Sequence, residues 1–266
     1  MKVVILCGGL GTRLAEETQV KPKPMVEIGN RPILWHVMQI YSQYGFNDFI
    51  LPLGYKAHVI KEYFLNYYAM SADLTVNLAT GKTVHSHRNK ENWTVQMVDT
   101  GKETFTGGRL KRLENCLRPS ATFMLTYGDG VADININKLL AFHRSHGKIA
   151  TMTAVRPSAR FGTMSFVGNR VTSFIEKSQT EAGWINGGFF VFEPEIFDYL
   201  ENDQTILERT PLERLAQEGQ LFAYQHNNFW QCMDTLRDKQ YLDALSAQNN
   251  MPWLQKEYSI EEPVSV

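Results

Sequence analysis

Three cysteines in 266 residues, at positions 7, 116 and 232, are too few and too scattered to staple a fold. An odd, widely spaced set excludes a disulfide framework and any zinc spacing, and leaves Cys7, Cys116 and Cys232 as small buried apolar groups. Long hydrophobic runs are also missing, so nothing approaches the ~20 apolar residues of a membrane helix. Charge of one sign is missing too. The formal net charge is −1, which offers no global field for nucleic acid or an anionic membrane, and neither is expected as a partner. The N-terminus shows only Val3 to Leu6 as an apolar run before Cys7 and glycine, so no secretory leader is expected and the cytoplasm is the default compartment. Without a leader, the sequon Asn92-Trp93-Thr94 carries no meaning. There is no internal repeat and no low-complexity tract. Among the histidines, His85 and His87 form an H-x-H pair without further ligands at metal spacing, and His36, His143 and His146 fall in expected helices. No nucleophile-elbow motif is present, so no covalent intermediate is expected.

What is present is a core and a local motif. Hydrophobic residues make up 43% of the chain and aromatics 12%, ample for one large α/β domain. The run Val3-Val4-Ile5-Leu6 reads as a buried strand. It leads into Gly8-Gly9-Leu10-Gly11-Thr12-Arg13-Leu14, and Lys21-Pro22-Lys23-Pro24-Met25 follows. Glycines let the backbone turn tightly and approach a ligand, while Arg13, Lys21 and Lys23 bring positive charge to the same mouth. A strand, a glycine turn and converging cations describe a polyphosphate site. Two familiar loops fail here. Leu14 stands where G-x-G-x-x-G needs its third glycine, which argues against a dinucleotide oxidoreductase. Val76 stands where a P-loop ending in Gly81-Lys82-Thr83 needs its first.

Downstream, strand and helix patterns alternate. Helical spacing covers 32–44, with Asn30 as its cap and Gly45 as its stop, and continues at 58–70, 110–117 and 136–146. Strands are expected at 46–53, 74–78, 93–98 and 122–127. This alternation argues for a mostly parallel sheet with helices on both faces. After about residue 151 the pattern shifts to short strands at 151–155, 162–167, 170–175 and 185–192, with a hairpin signal at Gly168-Asn169. Helical segments follow at 194–200, 211–217 and 236–245, and residues from 251 onward read as a polar, acidic, loosely held tail.

The combination G-G-x-G-T-R-L with K-P-K-P-M resembles the sugar-phosphate nucleotidyltransferases, which make nucleotide sugars from a nucleoside triphosphate and a sugar 1-phosphate. The likeness continues at Gly128-Asp129, Glu176-Lys177, Asn186-Gly187-Gly188 and Asp234 and covers most of the chain. The segments Glu16-Glu17-Thr18, Asp99-Thr100-Gly101 and Thr104 to Leu110 are similar to the subgroup that uses CTP and glucose 1-phosphate. So is Cys7, where thymidylyl and uridylyl relatives usually have alanine. The resemblance implies a Rossmann-like mixed, mostly parallel central sheet flanked by helices, with a smaller β-rich sugar-binding portion. It implies one domain over 1–250, with a nucleotide-binding half at 1–150, a sugar-phosphate-binding half at 151–250, and the tail at 251–266. It also implies Mg²⁺ as cofactor, a homo-oligomer (trimer or hexamer), and a product feeding dideoxysugar and O-antigen synthesis. UTP or dTTP in place of CTP, and a silent nucleotide-sugar sensor, are the alternatives.

Nucleotidyl transfer is an in-line displacement at phosphorus, so the protein chiefly positions its substrates and stabilises charge on oxygen. By resemblance, Lys23, Arg13 and Asp129 are the catalytic set, with Lys23 on the α-phosphate and Arg13 on the β- and γ-phosphates. Leu6, Gly8, Gly9, Gly11, Thr12, Thr104, Arg109 and Gly128 join Arg13 and Lys23 in holding the nucleotide, and Thr104 and Arg109 serve their own or a neighbouring subunit. Asp129 and Asp234 would hold the metal. Glu176, Lys177, Asn186 and Gly187 would hold the sugar phosphate, with Trp184 assisting. Plainer readings stand beside these: Asp129 as a turn residue, Asp234 as a helix cap, Gly187-Gly188 as a strand bulge, Lys21 as solvated rim, and Lys111 and Arg112 as solvated helix residues.

Overall fold

Val3, Val4 and Ile5 are wholly buried, which requires a strand covered on both faces. The computed structural model describes residues 1–86, 91–119, 121–157, 163–167, 169–175 and 183–254. Seven strands form its central sheet: β1 (Lys2–Leu6), β2 (Asp48–Leu53), β3 (Thr94–Asp99), β4 (Phe123–Tyr127), β5 (Ala150–Val155), β6 (Ile185–Phe192) and β7 (Leu221–His226). Their order across the sheet is β7-β5-β6-β4-β1-β2-β3. Only β6 runs against the others; every remaining neighbour pair is parallel. This is the mixed, mostly parallel sheet expected from the alternation of strands and helices.

The helices that cover it are α1 (Ile33–Ser42), α2 (Ala57–Leu65), α3 (Thr106–Lys111), α4 (Ile136–His146), α5 (Thr210–Gln217) and α6 (Leu236–Ala247). Alternate side chains of each strand meet different layers. Val3, Ile5, Phe49, Leu51, Met124 and Val191 pack with α1, α2, α4 and Leu242 of α6. Val4, Leu6, Ile50, Phe123, Leu125 and Phe190 pack with Leu110 of α3, Phe197, and Leu212 and Leu215 of α5. Each such side chain, fully buried, contributes about 1.5–3 kcal/mol of transfer free energy. That explains why the strands read as unbroken apolar runs rather than alternating ones.

Several elements differ from the sequence expectation. Asn30 caps nothing: Arg31–Pro32 pairs with Glu27–Ile28 as a short ladder, and α1 begins at Ile33. The helix expected at 58–70 breaks at Asn66, leaving Tyr67–Ser71 as a separate turn. The helix expected at 110–117 begins earlier, at Thr106, and is followed by Glu114–Leu117. Pro194–Tyr199 is a 3-10 helix. Asp73–Asn77 finds its partner in Lys82–Ser86, a strand the pattern concealed because both strands are polar and outlying. β7 was concealed as well, and it extends β5 on the edge of the sheet. Thr163–Val167 and Arg170–Ile175 form the expected antiparallel pair, while Gly168 of its turn lies outside the described residues. At the C-terminal end, Trp253 in the turn Pro252–Leu254 is buried against the core, and residues 255–266 lie outside the described residues.

Candidate active site

The sheet changes direction of winding at β1, which has β2 on one side and β4 on the other. Such a switch point opens a crevice beyond the carboxyl ends of the strands. Here Leu6 of β1 pairs with Tyr127 of β4, so the chain leaves the sheet side by side as Cys7-Gly8 and Gly128-Asp129. A cavity of about 350 Å³ lies at this point. Its walls gather Leu6, Gly8, Gly9, Gly11, Thr12, Arg13, Lys23, Thr104, Arg109, Gly128 and Asp129 from separate parts of the chain.

Lys23 sits in the 3-10 turn Lys23–Met25, between Pro22 and Pro24, and is only 9% exposed. Its Nζ donates to Asp129 Oδ2 at 2.6 Å and to Asp234 Oδ1 at 2.5 Å. Burial pushes this ammonium toward losing its proton, but the two carboxylates outweigh burial and hold its pKa above the ordinary lysine value. Arg13 donates to the other oxygen of Asp234 at 2.7 Å, with its side chain 75% exposed and aimed at the cavity mouth.

Two short strands bring the carboxylates together. Gly130–Ala132 pairs antiparallel with Trp230–Cys232, with Cys232 opposite Gly130, and the Met233 N–H donates to the Asp129 carbonyl at 2.8 Å. Asp129 therefore occupies a turn residue's place and also faces the cavity. Asp234 is not the cap of the last helix. Thr235 caps α6 in a capping box with Asp238, which leaves the Asp234 carboxylate for Lys23 and Arg13. No group of three or more His, Cys, Asp or Glu side chains able to hold a metal occurs among the described residues. The pair Asp129 and Asp234 offers hard oxygen donors to one point, a partial donor set that suits a divalent cation completing its shell with phosphate oxygens and water. The nearby thiols are held in the protonated form: burial, with help from Asp129, pushes Cys7 far up, and burial beside Asp234 pushes Cys232 up to about 12.

Arg109 has a different placement. It is 4% exposed, and its fork donates to Gly8, Leu53, Gly101 and Lys102 carbonyls and to Thr100 Oγ1, at 2.7 to 3.2 Å. It thereby ties the glycine loop to the end of β2 and to the loop after β3. A Cβ on Gly8 would lie 2.1 Å from the Arg109 Cζ, so the loop can rest on this guanidinium only as glycine. Burial and neighbouring Arg112 lower the Arg109 pKa. Arg112 itself is engaged by Asp203 through Nε and Nη2, and Lys111 by Glu114. Lys21 stands off the cavity at 3.6 Å from Glu27.

Among the residues expected to hold the sugar phosphate, Asn186 Nδ2 donates to Tyr127 Oη at 3.2 Å, and Trp230 Nε1 donates to the Gly187 carbonyl at 2.8 Å. Asn186 thus borders the cavity through Tyr127, which lines it, while Gly187 is held by Trp230 and is not among the lining residues. The bulge reading of this stretch also holds: Met152 opposes Phe190 while Ala154 opposes Asn186. Trp184 lies under the guanidinium of Arg156 at 4.6 Å. Glu176 and Lys177 lie outside the described residues. The sequence reading did not assign Tyr127, Phe105 or Thr106 to the site, although Phe105 and Thr106 lie inside the segment Thr104 to Leu110 and Tyr127 adjoins Gly128-Asp129.

The model of the nucleotidyl transferase family matches residues 2–248. The chain belongs to that family. Its enzymes transfer a nucleotidyl group, and the cavity gathers Arg13, Lys23 and Asp129. Among curated proteins, this nucleotidyl transferase is 52% identical over 253 residues to the glucose-1-phosphate cytidylyltransferase of Salmonella typhi, covering 95% of this chain and 98% of that protein. It is 29% identical over 250 residues to the mannose-1-phosphate guanylyltransferase catalytic subunit beta of Dictyostelium discoideum, covering 92% of this chain and 64% of that protein. Among solved structures it shares its fold with HddC from Yersinia pseudotuberculosis, with a TM-score of 0.67 and 23% identity over 91% of this chain and 98% of that one. A UDP-glucose pyrophosphorylase complexed with UDP-glucose is similar at a TM-score of 0.66 and 15% identity, covering 93% of this chain and 98% of that one. No helix among the described residues is long and apolar enough to cross a membrane.

Proposed function

We propose that this nucleotidyl transferase moves the cytidylyl group of CTP onto α-D-glucose 1-phosphate, giving CDP-glucose and pyrophosphate. The observation that carries the reading is the meeting of Lys23, Asp129 and Asp234 at the edge of the glycine-loop cavity. The choice of base and sugar draws on the 52% identity to a protein named for that reaction.

An oxygen of the sugar phosphate attacks the α-phosphorus, the bond to the bridging oxygen breaks in line, and pyrophosphate departs with the electron pair. Lys23 supplies positive charge where the α-phosphate oxygens gain it, and Arg13 holds the departing β- and γ-phosphates through its planar fork. The loop from Gly8 to Thr12 lets the backbone approach the polyphosphate, with Arg109 fixing its entry and Thr104 beside it. Asn186 and Gly187, with Glu176 and Lys177, orient the sugar phosphate. Asp129 and Asp234 would hold Mg²⁺, which when bound neutralises charge on phosphate oxygens and templates their positions.

The same reading includes a homo-oligomer, a trimer or hexamer, working in the cytoplasm and feeding dideoxysugar synthesis for surface polysaccharide. Exposed Leu65, Met70 and Leu78 offer apolar surface for assembly, which light scattering tests. The decisive experiment is pyrophosphate release from glucose 1-phosphate and Mg²⁺ with CTP, UTP, dTTP, ATP and GTP in parallel. Release with CTP alone is expected. Preference for another nucleotide moves the base, and silence with all five overturns the reading.

A further inference from the structure

A carboxylate from outside every motif ties together two sides of the cavity. Glu208 lies just before α5 and is half-buried. Its Oε1 accepts the hydroxyl of Tyr127 at 2.5 Å, and its Oε2 accepts the hydroxyl of Thr106 at 2.6 Å. Both donors line the cavity. Among the described residues, no lysine or arginine pairs with Glu208, so its charge is met by these two hydroxyls.

Each hydroxyl is also an acceptor. Tyr127 Oη takes a bond from Asn186 Nδ2 at 3.2 Å, and Thr106 Oγ1 takes one from the Leu207 N–H at 3.0 Å. A hydroxyl has one proton to give and rotates to suit its partners, so giving and taking together fix its direction. Bonds of this kind to a carboxylate are roughly twice as strong as neutral ones. Burial, and then the charge of Glu208, push the Tyr127 phenol far up, so it remains a proton donor across the neutral range. The same segment grips the start of α3 by its backbone, with the Phe105 N–H on the Asp203 carbonyl and the Gly108 N–H on the Thr205 carbonyl.

We propose that Glu208 is the positioning residue that locks Thr106 on the nucleotide wall and Tyr127, with Asn186 behind it, on the sugar side into one arrangement. The two substrates are then presented to each other at a fixed separation. This extends the two-substrate reading given above and rests on it for the identity of the sugar side. A displacement of about 1 Å at such a site can cost about a hundredfold in rate.

The test uses Glu208→Gln, which keeps size and shape but offers one accepting oxygen instead of two. The expected result is a KM raised about three- to tenfold for both substrates and a kcat lowered about tenfold or more, with the melting temperature held within a few degrees. Glu208→Ala serves as the harsher companion. A second measurement needs no turnover. Nucleotide affinity is read by calorimetry with CTP for the wild type, Asn186→Ala, Glu208→Gln and the double variant. Asn186→Ala is expected to weaken CTP about threefold in the wild-type background and to add nothing once Glu208 is glutamine. Wild-type kinetic constants in Glu208→Gln, or fully additive effects in the cycle, would overturn the proposal. A wild type that binds CTP but turns over no sugar phosphate would instead sink the functional reading and leave the cycle able to judge Glu208.

Discussion

Lys23 and Asp129 meet at 2.6 Å although 106 residues of chain separate them. The same ammonium reaches Asp234, so one positive charge stands between two negative ones. Without it the carboxylates would repel across the cavity mouth. With it, that repulsion is offset, and the ammonium occupies the point between the two carboxylates that a divalent cation would take. Lys23 therefore acts as the cation of the free site, and under the proposed function the phosphate of an arriving nucleotide gives it a third partner.

This relationship predicts opposite effects of one substitution. Lys23→Met keeps the aliphatic stem and removes the charge. Turnover should fall about 10²- to 10³-fold, the usual cost of removing a donor that meets developing charge. Affinity for a divalent cation without substrate should rise about tenfold, because the competitor for both carboxylates is gone. Titration with Mn²⁺, followed by its paramagnetic resonance signal, reads the second quantity directly. Weaker Mn²⁺ binding by the variant would mean that Lys23 organises the carboxylates instead of competing for them.

Arg109→Lys should separate the loop's support from its chemistry. A lysine keeps the charge but has a single nitrogen in place of a fork that spans the Gly8, Leu53, Gly101 and Lys102 carbonyls and Thr100. Stranded buried acceptors should lower unfolding stability by about 1–3 kcal/mol in a urea titration. The nucleotide KM should rise about tenfold as the glycine loop loosens, with a smaller change in the KM for sugar phosphate. Equal changes in both would show that the fork steadies the whole cavity, not the loop.

The glycine-loop wall of the cavity was legible in the sequence because its residues are contiguous. A buried run, three glycines and flanking cations keep their order from sequence to site, and the strand placed them at a sheet edge by its own geometry. Asp129 and Asp234 were legible only through resemblance, since what joins them is the pairing of Gly130–Ala132 with Trp230–Cys232, two short strands with no pattern of their own. Glu208 carried no signal at all: a glutamate before a helix is ordinary, and its partners lie 81 and 102 residues away. Arg109 was recognised as a site residue, but its burial beneath Gly8 was not, because an arginine between Gly108 and Leu110 reads the same whether it points out or in. The missed strand β7 is at the sheet's edge and Lys82–Ser86 belongs to a separate two-stranded ladder, where burial is too slight to impose an apolar pattern.

Gly188→Ala should disturb the sugar side through Tyr127. Gly188 has φ +81°, and an added Cβ would lie 2.5 Å from Tyr127 Cδ2. The left-handed backbone alone costs an alanine about 1–3 kcal/mol, and the ring must also move off Asn186 and Glu208. Thermal unfolding should show the loss, and steady-state kinetics should show a larger rise in KM for sugar phosphate than for nucleotide. A variant with an unchanged sugar-phosphate KM would place the sugar away from this ring.

Acid should loosen the C-terminal end through His36. This ring is buried in α1, where Nε2 meets the Ile28 carbonyl at 3.1 Å and Nδ1 meets Trp253 Nε1 at 3.2 Å. A carbonyl only accepts and an indole N–H only donates, so the ring is the neutral tautomer protonated on Nε2. Burial, and then the charge of Arg31, push its pKa down to about 4, although the Ile28 bond acts the other way. The unfolded chain, with an ordinary histidine near 6.5, therefore binds more protons than the folded one throughout the interval between those values. Stability is complete above about pH 6.5 and is lost as pH falls toward 4, by about 1.5 kcal/mol between pH 6.5 and 5. His143 and His146 are depressed by burial and add a slope of the same sign, so the comparison must be with His36→Asn, which cannot take up the proton. Urea unfolding at the two pH values should give the variant a shallower dependence by about that amount. Protonating Nδ1 also breaks the bond to Trp253, whose indole holds the turn Pro252–Leu254 on the core, so its fluorescence should shift toward the solvent value over the same interval. Identical slopes in the two proteins would mean that His36 relaxes and takes its proton without cost, and that the docking of Trp253 does not depend on it.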